Sequence, residues 1–462
     1  MEEQNVKITK GVRTLLGNPK KAIIKISTPM MLGMLCQAVY NLADGFWVAG
    51  LGADELAAIG LIFPFFLIII ALGTGLGVGG SSAVSRRIGE RNKKDADNTA
   101  AHTILIGLVI GLFISVPILP FLKNIMLSLS GNENIGNMAA DYARIIFSGA
   151  LILVFSQVAN ALFRGEGDAK RAMYGLLIGS GLNIILDPIF IYTFKMGVKG
   201  AAWATVTSIS VSSLIFFYWL FIDKKSYLDI TFKGFKINRK ILAEILEVGI
   251  PSSLAQLSMS IAIIFLNKIV IEAGGTDGVA VFTSGWRIIM LGVIPLLGMA
   301  TGVVAVTGAA YGARDRDKLK IAYFYSIKIG IVIELAVAVL VVLFSKQISF
   351  IFTYSEESAR ILDDLVTFLK ILSIFYPTVP MGMLTSAMFR GIGKGKRSLI
   401  VTILRTIILQ VPVAYLLGIT FNLGLTGVWL GLISGNILAA IVTFSWGKHT
   451  VNHAALEPKR AD

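Results

Sequence analysis

Apolar residues in this chain come in long unbroken blocks rather than in the strict alternation that marks half-buried strands. Twelve such blocks are present, near 22–49, 56–85, 99–122, 137–163, 172–194, 197–222, 246–272, 279–307, 321–345, 362–389, 398–420 and 424–447. Each is long enough for a helix crossing a hydrocarbon core about 30 Å thick. The pattern predicts an all-α membrane protein with twelve transmembrane helices. The longest polar stretch follows the sixth block and divides the chain into a first lobe at 1–222, a linker at 223–243 and a second lobe at 244–462.

The two halves repeat. Phe163-Arg164-Gly165-Glu166-Gly167-Asp168-Ala169-Lys170-Arg171 returns as Phe389-Arg390-Gly391-Ile392-Gly393-Lys394-Gly395-Lys396-Arg397. Gly89-Glu90-Arg91-Asn92-Lys93 aligns with Gly312-Ala313-Arg314-Asp315-Arg316, and Gly197-Val198-Lys199-Gly200 with Gly424-Leu425-Thr426-Gly427. Six crossings per lobe start both lobes on the same side, so the repeats run parallel about an axis along the membrane normal. Two pseudo-symmetric six-helix lobes with a cleft between them are expected.

Composition agrees with insertion: 55% hydrophobic residues and 15% charged ones leave too little polar surface for a soluble globule of this length. The net charge of +14 would suggest nucleic acid, but its placement argues otherwise. About 31 Lys and Arg fall on one side of the predicted helices, about 5 on the other and about 6 within them. The basic side, with both termini, is expected in the cytoplasm against anionic lipid, which removes the need for a nucleic-acid partner. Charges among the first twenty residues and the lack of a small-residue cleavage site argue against a removable leader. The lone Cys36 has no intramolecular partner, and His102, His449 and His453 lack metal-ligand spacing. Gly75-x-Gly77-x-x-Gly80 imitates a dinucleotide fingerprint but lies inside an apolar block with no preceding strand, where small residues serve helix packing.

Charges inside the blocks carry more information, because a carboxylate in hydrocarbon costs a few kcal/mol and usually faces a cavity or partner. Asp44 lies about 28 Å along its helix from Lys25, and Asp187 about 24 Å from Arg171. Gln37, Tyr40 and Asp44 share one helical face, Asn183 and Asp187 sit one turn apart, and Thr205 adds a hydroxyl at similar depth. Such oxygens suit a hard cation such as Na⁺, or two acids that share a proton. A purely structural pair satisfied by helix amides is the third account. Pro29 and Pro188 interrupt helix hydrogen bonding, making Pro29 a candidate hinge. Trp47, Tyr142 and Trp203 suit interfacial anchoring. In the second lobe the positions equivalent to the acids, Leu266 and Val413, are apolar. Lys268, Arg287 and Glu334 are charged, with a structural Arg287–Glu334 salt bridge expected ahead of the alternative, a second coupling site.

Asn-Leu-Ala-Asp-Gly-Phe-Trp-Val-Ala-Gly-Leu-Gly at 41–52, Arg-Gly-Glu-Gly-Asp at 164–168, Asn-Ile-Ile-Leu-Asp-Pro at 183–188 and Gly-Ala-Ala-Trp-Ala-Thr at 200–205 resemble the multidrug and toxic compound extrusion (MATE) family, especially archaeal members of its DinF-like branch. The resemblance spans essentially the whole chain. It implies a V-shaped pair of lobes around a central cavity, and export of amphipathic, often cationic drugs against an inward Na⁺ or H⁺ gradient. It assigns the cation site to Asp44, Asn183, Asp187 and Thr205, as Na⁺ ligands if sodium is the coupling ion. Gln37, Tyr40, Trp47, Tyr142 and Asn160 become the substrate or coupling neighbourhood. The second-lobe acids expected on the first and fourth helices of that lobe in the NorM-like branch have no equivalent here, which favours coupling through the first lobe.

The expected function is therefore a cation-coupled multidrug antiporter in the plasma membrane. Its partners are small toxic organic compounds and membrane lipids, with no cofactor and a monomeric state. A lipid or lipid-linked saccharide flippase of the same superfamily is the alternative, and would call for an Arg-rich cavity. An enzyme is not expected, since Ser81, Ser82 and Cys36 have no histidine nearby in sequence.

Overall fold

The computed structural model describes residues 8–354 and 356–454. Residues 1–7, on which part of the no-leader expectation rests, lie outside them. Among the described residues there are helices and no strand. The first lobe contains α1 (Lys10–Leu16), α2 (Pro19–Ala49), α3 (Ala53–Gly89), α4 (Lys93–Ile118), α5 (Leu122–Ser130), α6 (Glu133–Ser148), α7 (Ala150–Gly165), α8 (Ala169–Pro188) and α9 (Val198–Phe217). The second contains α10 (Arg239–Gly312), α11 (Arg316–Leu343), α12 (Ser345–Phe352), α13 (Glu356–Ala359), α14 (Leu362–Leu372), α15 (Val379–Gly391), α16 (Gly395–Ile403), α17 (Val411–Tyr415) and α18 (Gly424–Asn452).

Ten helical stretches are long and apolar enough to cross a membrane, and α6 with α7, bent by 48° at Gly149, makes an eleventh. One of the ten, α10, has 74 residues and would be about 111 Å long if straight. It breaks instead at Gly274 (φ −151°, ψ 15°) and Gly275 (φ 61°, ψ −154°). Only glycine adopts the second conformation readily, so α10 is two crossings, and the twelve expected spans are present. Four are less regular than hydropathy suggested, among them α9, which ends in the π-helical segment Tyr218–Ile222. A π-helical segment, Ile189–Thr193, follows α8; a 3₁₀ segment, Ser373–Thr378, containing Pro377, joins α14 to α15; and π-helical turns flank α17. Large apolar side chains such as Phe113, Leu214, Ile264 and Leu343 stand on the outer surface, as lipid-facing positions do.

The sequence repeat is reproduced in the backbone. Arg91 and Arg314 both take left-handed φ, 58° and 54°, after α3 and α10. Each is followed by an Asx cap: Asn92 Oδ1 accepts from Asp95 N–H, and Asp315 Oδ1 from Lys318 N–H. Gly167 and Gly393 match at φ 83° and 80°, and Gly197 and Gly424 at 55° and 58°. Even the stacking repeats: Arg171 lies over Phe163 and Trp219, and Arg397 over Phe389 and Trp446.

The lobes meet toward the basic face. Ser82 Oγ donates to the carbonyls of Arg390 (2.5 Å) and Gly391 (3.2 Å), Arg87 pairs with Glu244 at 2.8 Å, and Ser253 Oγ donates to Ala71 O at 2.9 Å. Backbones touch because side chains are missing. A Cβ on Gly89 would lie 2.1 Å from Ala309 O, and one on Gly312 would lie 2.0 Å from Arg86 O. The bonds of Ser82, Arg86, Arg87 and Lys318 across the seam lie at the basic ends of their helices, and that of Ser253 lies halfway along α3.

The linker is strapped to the first lobe by side chains the sequence did not single out. Glu166 Oε2 accepts from Ser226 Oγ (2.7 Å), Tyr227 N–H (2.9 Å) and Leu228 N–H (3.1 Å). Asp97 Oδ1 accepts from Asp229 N–H at 2.8 Å, and His102 Nε2 from Asn238 N–H at 2.8 Å. His102 Nδ1 faces Asn98 O, so it carries the proton and Nε2 is free to accept.

Glu166 lies between spans and is almost completely buried. That burial pushes its carboxyl from 4.5 up to about 7, against the Ser226, Leu228 and Tyr227 hydrogen bonds, which favour the carboxylate. Because the folded value is raised, its contribution to stability is complete below about 4.5 and is lost as pH rises through about 7. Across that window the parent protein should lose thermal stability relative to Glu166→Gln, which has no titrating group there. Parallel unfolding-midpoint profiles for the two proteins would refute this.

Candidate functional site

The site is built where α2, α6, α8 and α9 converge in the first lobe. Spacing of three and four residues puts Gln37, Tyr40 and Asp44 on one face of α2, and α8 presents Asn183 and Asp187 one turn apart. Asp187, Asn183 and Thr205 are fully buried, whereas Asp44 is half-buried. The carboxyls of Asp44 and Asp187 lie within hydrogen-bonding reach of each other. Tyr40 is a neighbour of Thr205, and Tyr142 stands close to both acids.

One neighbour decides how Asn183 is turned. The backbone N–H of Thr205 can only donate, so it fixes Asn183 Oδ1 at 3.2 Å and leaves Asn183 Nδ2 donating to Asp187 Oδ2 at 2.9 Å. Asp187 Oδ1 has no hydrogen-bond partner from the surrounding scaffold. Two carboxyls in contact cannot both stay ionised unless a cation lies between them, and otherwise share a proton. The arrangement offers Asp44 and Asp187 for that exchange, with the Tyr40 and Thr205 hydroxyls beside them. Asn183 presents an amide N–H toward the acids rather than an oxygen. Among the described residues no group of three or more His, Cys, Asp or Glu could hold a metal.

The remaining expected positions separate. Trp47 packs with Val48, Leu51, Ile59, Tyr142, Ile191 and Ala201, and its carbonyl accepts from Tyr192 O–H at 2.6 Å. Trp47 is therefore half-buried in a small packed cluster near the end of α2. Trp203 is largely exposed, as an anchor would be. Asn160 is not at the site. Its Nδ2 donates to Ala172 O at 2.8 Å and its Oδ1 accepts from Arg164, about 22 Å along α8 from Asp187, because it lies in the last turns of α7 near the basic loop. Gln37 is half-buried one turn below Tyr40. Pro29 sits within a continuous α2, where Gly298 and Gly302 let the second lobe approach Met31 and Ser27.

In the second lobe the offset positions hold Leu266, which is buried, and Val413, which is half-buried. The Arg287–Glu334 salt bridge is not formed. Arg287 is exposed and in no ion pair among the described residues, while Glu334 is fully buried with both carboxyl oxygens unpartnered. The two stand at similar depth on different helical faces, and depth was all that linear spacing supplied. Glu334 instead faces Tyr376, whose hydroxyl is also unpartnered. Lys268 is exposed. A polar trio that sequence reasoning missed lies in the same lobe: Asn436 Nδ2 donates to Thr378 Oγ1 at 2.5 Å, and Gln410 Nε2 to Asn436 Oδ1 at 3.5 Å. The available signal was the isolated amides within apolar blocks.

The family model described as MatE matches residues 29–189 and 251–416, one segment in each lobe. The multidrug export protein MepA of Staphylococcus aureus is 27% identical over 432 residues, covering 91% of this chain and 92% of its own length. An outward-facing multidrug resistance MATE family transporter of the MOP superfamily superposes with a TM-score of 0.94 at 54% identity, covering 96% of this chain and 99% of that one. A MOP superfamily transporter from Pyrococcus furiosus, described as having a binding pocket of reversed polarity, matches with a TM-score of 0.93, also at 54% identity and with the same coverage.

Proposed function

The chain belongs to the MatE family, and on that premise we propose that it exports amphipathic, often cationic organic compounds in exchange for protons. It would act as a monomer in the plasma membrane, with the basic face in the cytoplasm and lipid around the lobes. The observation that carries this reading is the contact between Asp44 and Asp187 beside an Asn183 whose N–H, not its oxygen, is turned toward them. A set of that kind suits an exchangeable proton better than a sodium cage, because one amide oxygen is already committed to Thr205.

Exchange follows from competition. A cationic substrate entering the acidic chamber is favoured when the acid pair is ionised, and proton loading from outside removes that charge and expels it. Each ligand biases the outward-open or inward-open population only by its differential affinity for the two. The flippase reading asked for an Arg-rich cavity, and the first-lobe site holds two acids and no arginine, so nothing favours it.

The test uses proteoliposomes with pH and Na⁺ gradients imposed separately and a fluorescent cationic dye as substrate. A pH gradient alone is expected to drive dye movement and a Na⁺ gradient alone to leave it at background. The reverse result would replace the proton with Na⁺ at the same acids, and a null result with both gradients would overturn coupled export.

A further inference from the structure

We infer that the groove between α2 and α11 near the basic face is a binding site for an anionic phospholipid, held by Lys20, Lys320 and Lys328. The groove has a volume of about 540 Å³ and an apolar floor of Ile321, Phe324, Tyr325 and Ile329. No acid lines it. None of the three lysines is in an ion pair among the described residues. Lys20 contributes from the first lobe, its ammonium 5.7 Å from the centre of the Tyr325 ring.

The helix geometry places the charges together. Lys320, Phe324 and Lys328 follow at i, i+4 and i+8, and Ile321, Tyr325 and Ile329 form the adjoining stripe of the same face. Lys328 is twelve residues beyond Arg316, about 18 Å up α11, where an exposed ammonium is costly in hydrocarbon. Side chains on a helix lean toward its N-terminus, which for α11 is the basic end. Lys328 therefore reaches back toward Lys320 and satisfies its charge at headgroup level.

Three unpaired cations above an apolar floor, opening sideways to the bilayer, complement one phosphate with acyl chains below it. A free inorganic phosphate would use the lysines but leave Ile321, Phe324 and Ile329 in water. The site also crosses the seam between lobes, which is pinned nearby by Lys318 Nζ donating to Leu16 O at 2.7 Å. A lipid bound there ties α2 to α11 on the basic side, and so favours the arrangement in which those ends are together.

The experiment is native mass spectrometry of the full chain released from nanodiscs of phosphatidylcholine with or without phosphatidylglycerol. The parent should retain phosphatidylglycerol in preference to phosphatidylcholine. Lys320→Gln and Lys328→Gln should each lower retention roughly five-fold, and the triple variant with Lys20→Gln should remove the preference. Lys233→Gln combined with Lys236→Gln, a larger charge loss in the linker than in either single variant, should leave retention unchanged. Equal retention by parent and triple variant would overturn the site. So would a comparable loss in the linker variant, which indicates only surface charge, or displacement of the lipid by inorganic phosphate.

Discussion

Asp187→Asn should reduce gradient-driven drug transport to background without lowering the thermal stability of the purified protein. The substitution is nearly isosteric and keeps a hydrogen bond to Asn183, so packing is preserved, but the residue can no longer gain or lose charge. An intramembrane carboxylate costs up to roughly 2.5–3.5 kcal/mol when charged, so losing its charge cycle should lower transport by up to about two orders of magnitude. Stability should hold or rise, because Asp187 Oδ1 is buried without a protein partner and burying such a group is unfavourable. Asp44→Asn should act in the same direction, and the double variant should be no worse than either single one, since the two acids work as a unit. Glu334→Gln supplies the contrast: it alters an equally buried acid in the second lobe and should leave coupling intact. Transport retained in Asp187→Asn, or lost together with the folded protein, would remove the acid pair from the mechanism.

Gly312→Val should abolish transport by a different route, through the seam. Its Cβ would fall 2.0 Å from the carbonyl oxygen and 2.7 Å from the carbonyl carbon of Arg86, both backbone atoms that no rotamer change can move aside. Overpacking of this kind costs roughly 1–3 kcal/mol or more, and the cost falls only on the conformation in which the lobe ends are in contact. About 3 kcal/mol is enough to turn a dominant state into a minor one. Spin-label distances between α3 and α10 near the basic face should lengthen, while helix content stays unchanged. Gly89→Val, the pseudo-symmetric partner against Ala309 O, should do the same. Gly60→Ala, with nothing within 4 Å of its added carbon, should be neutral. Normal transport in both valine variants would mean that contact at these ends is not needed for the cycle.

The duplication was legible because its markers are local. Gly167 and Gly393, or Arg91 and Arg314, lie in turns whose conformation depends on a few neighbouring residues, and the paired φ values agree within a few degrees. The acid pair was legible because helical spacing and depth place Asp44 and Asp187 similarly in the membrane. Asn160 was grouped with the site by the family resemblance, although it lies only four residues before Arg164 in the chain and bonds to Arg164 and Ala172. Linear distance could not say which faces meet, so Arg287 and Glu334 were matched in depth although one is exposed and the other buried. Glu166 was visible only as a mismatch with Ile392 in the repeat. Its role required Ser226 to Leu228 to fold back across about sixty positions of chain.

By itself, the sequence determined that this protein crosses the membrane twelve times, that it is a duplicated pair of lobes and that the paired acids Asp44 and Asp187 belong to the first. Hydropathy, turn residues and helical period act within a few residues and survive any change of packing. Only the tertiary structure decided that the Thr205 N–H turns the Asn183 amide toward Asp187, that Glu334 stands without its expected partner, and that Lys20 and Tyr325 share a groove. Those relations join groups far apart along the chain, and their energies arise from contacts that no single helix contains.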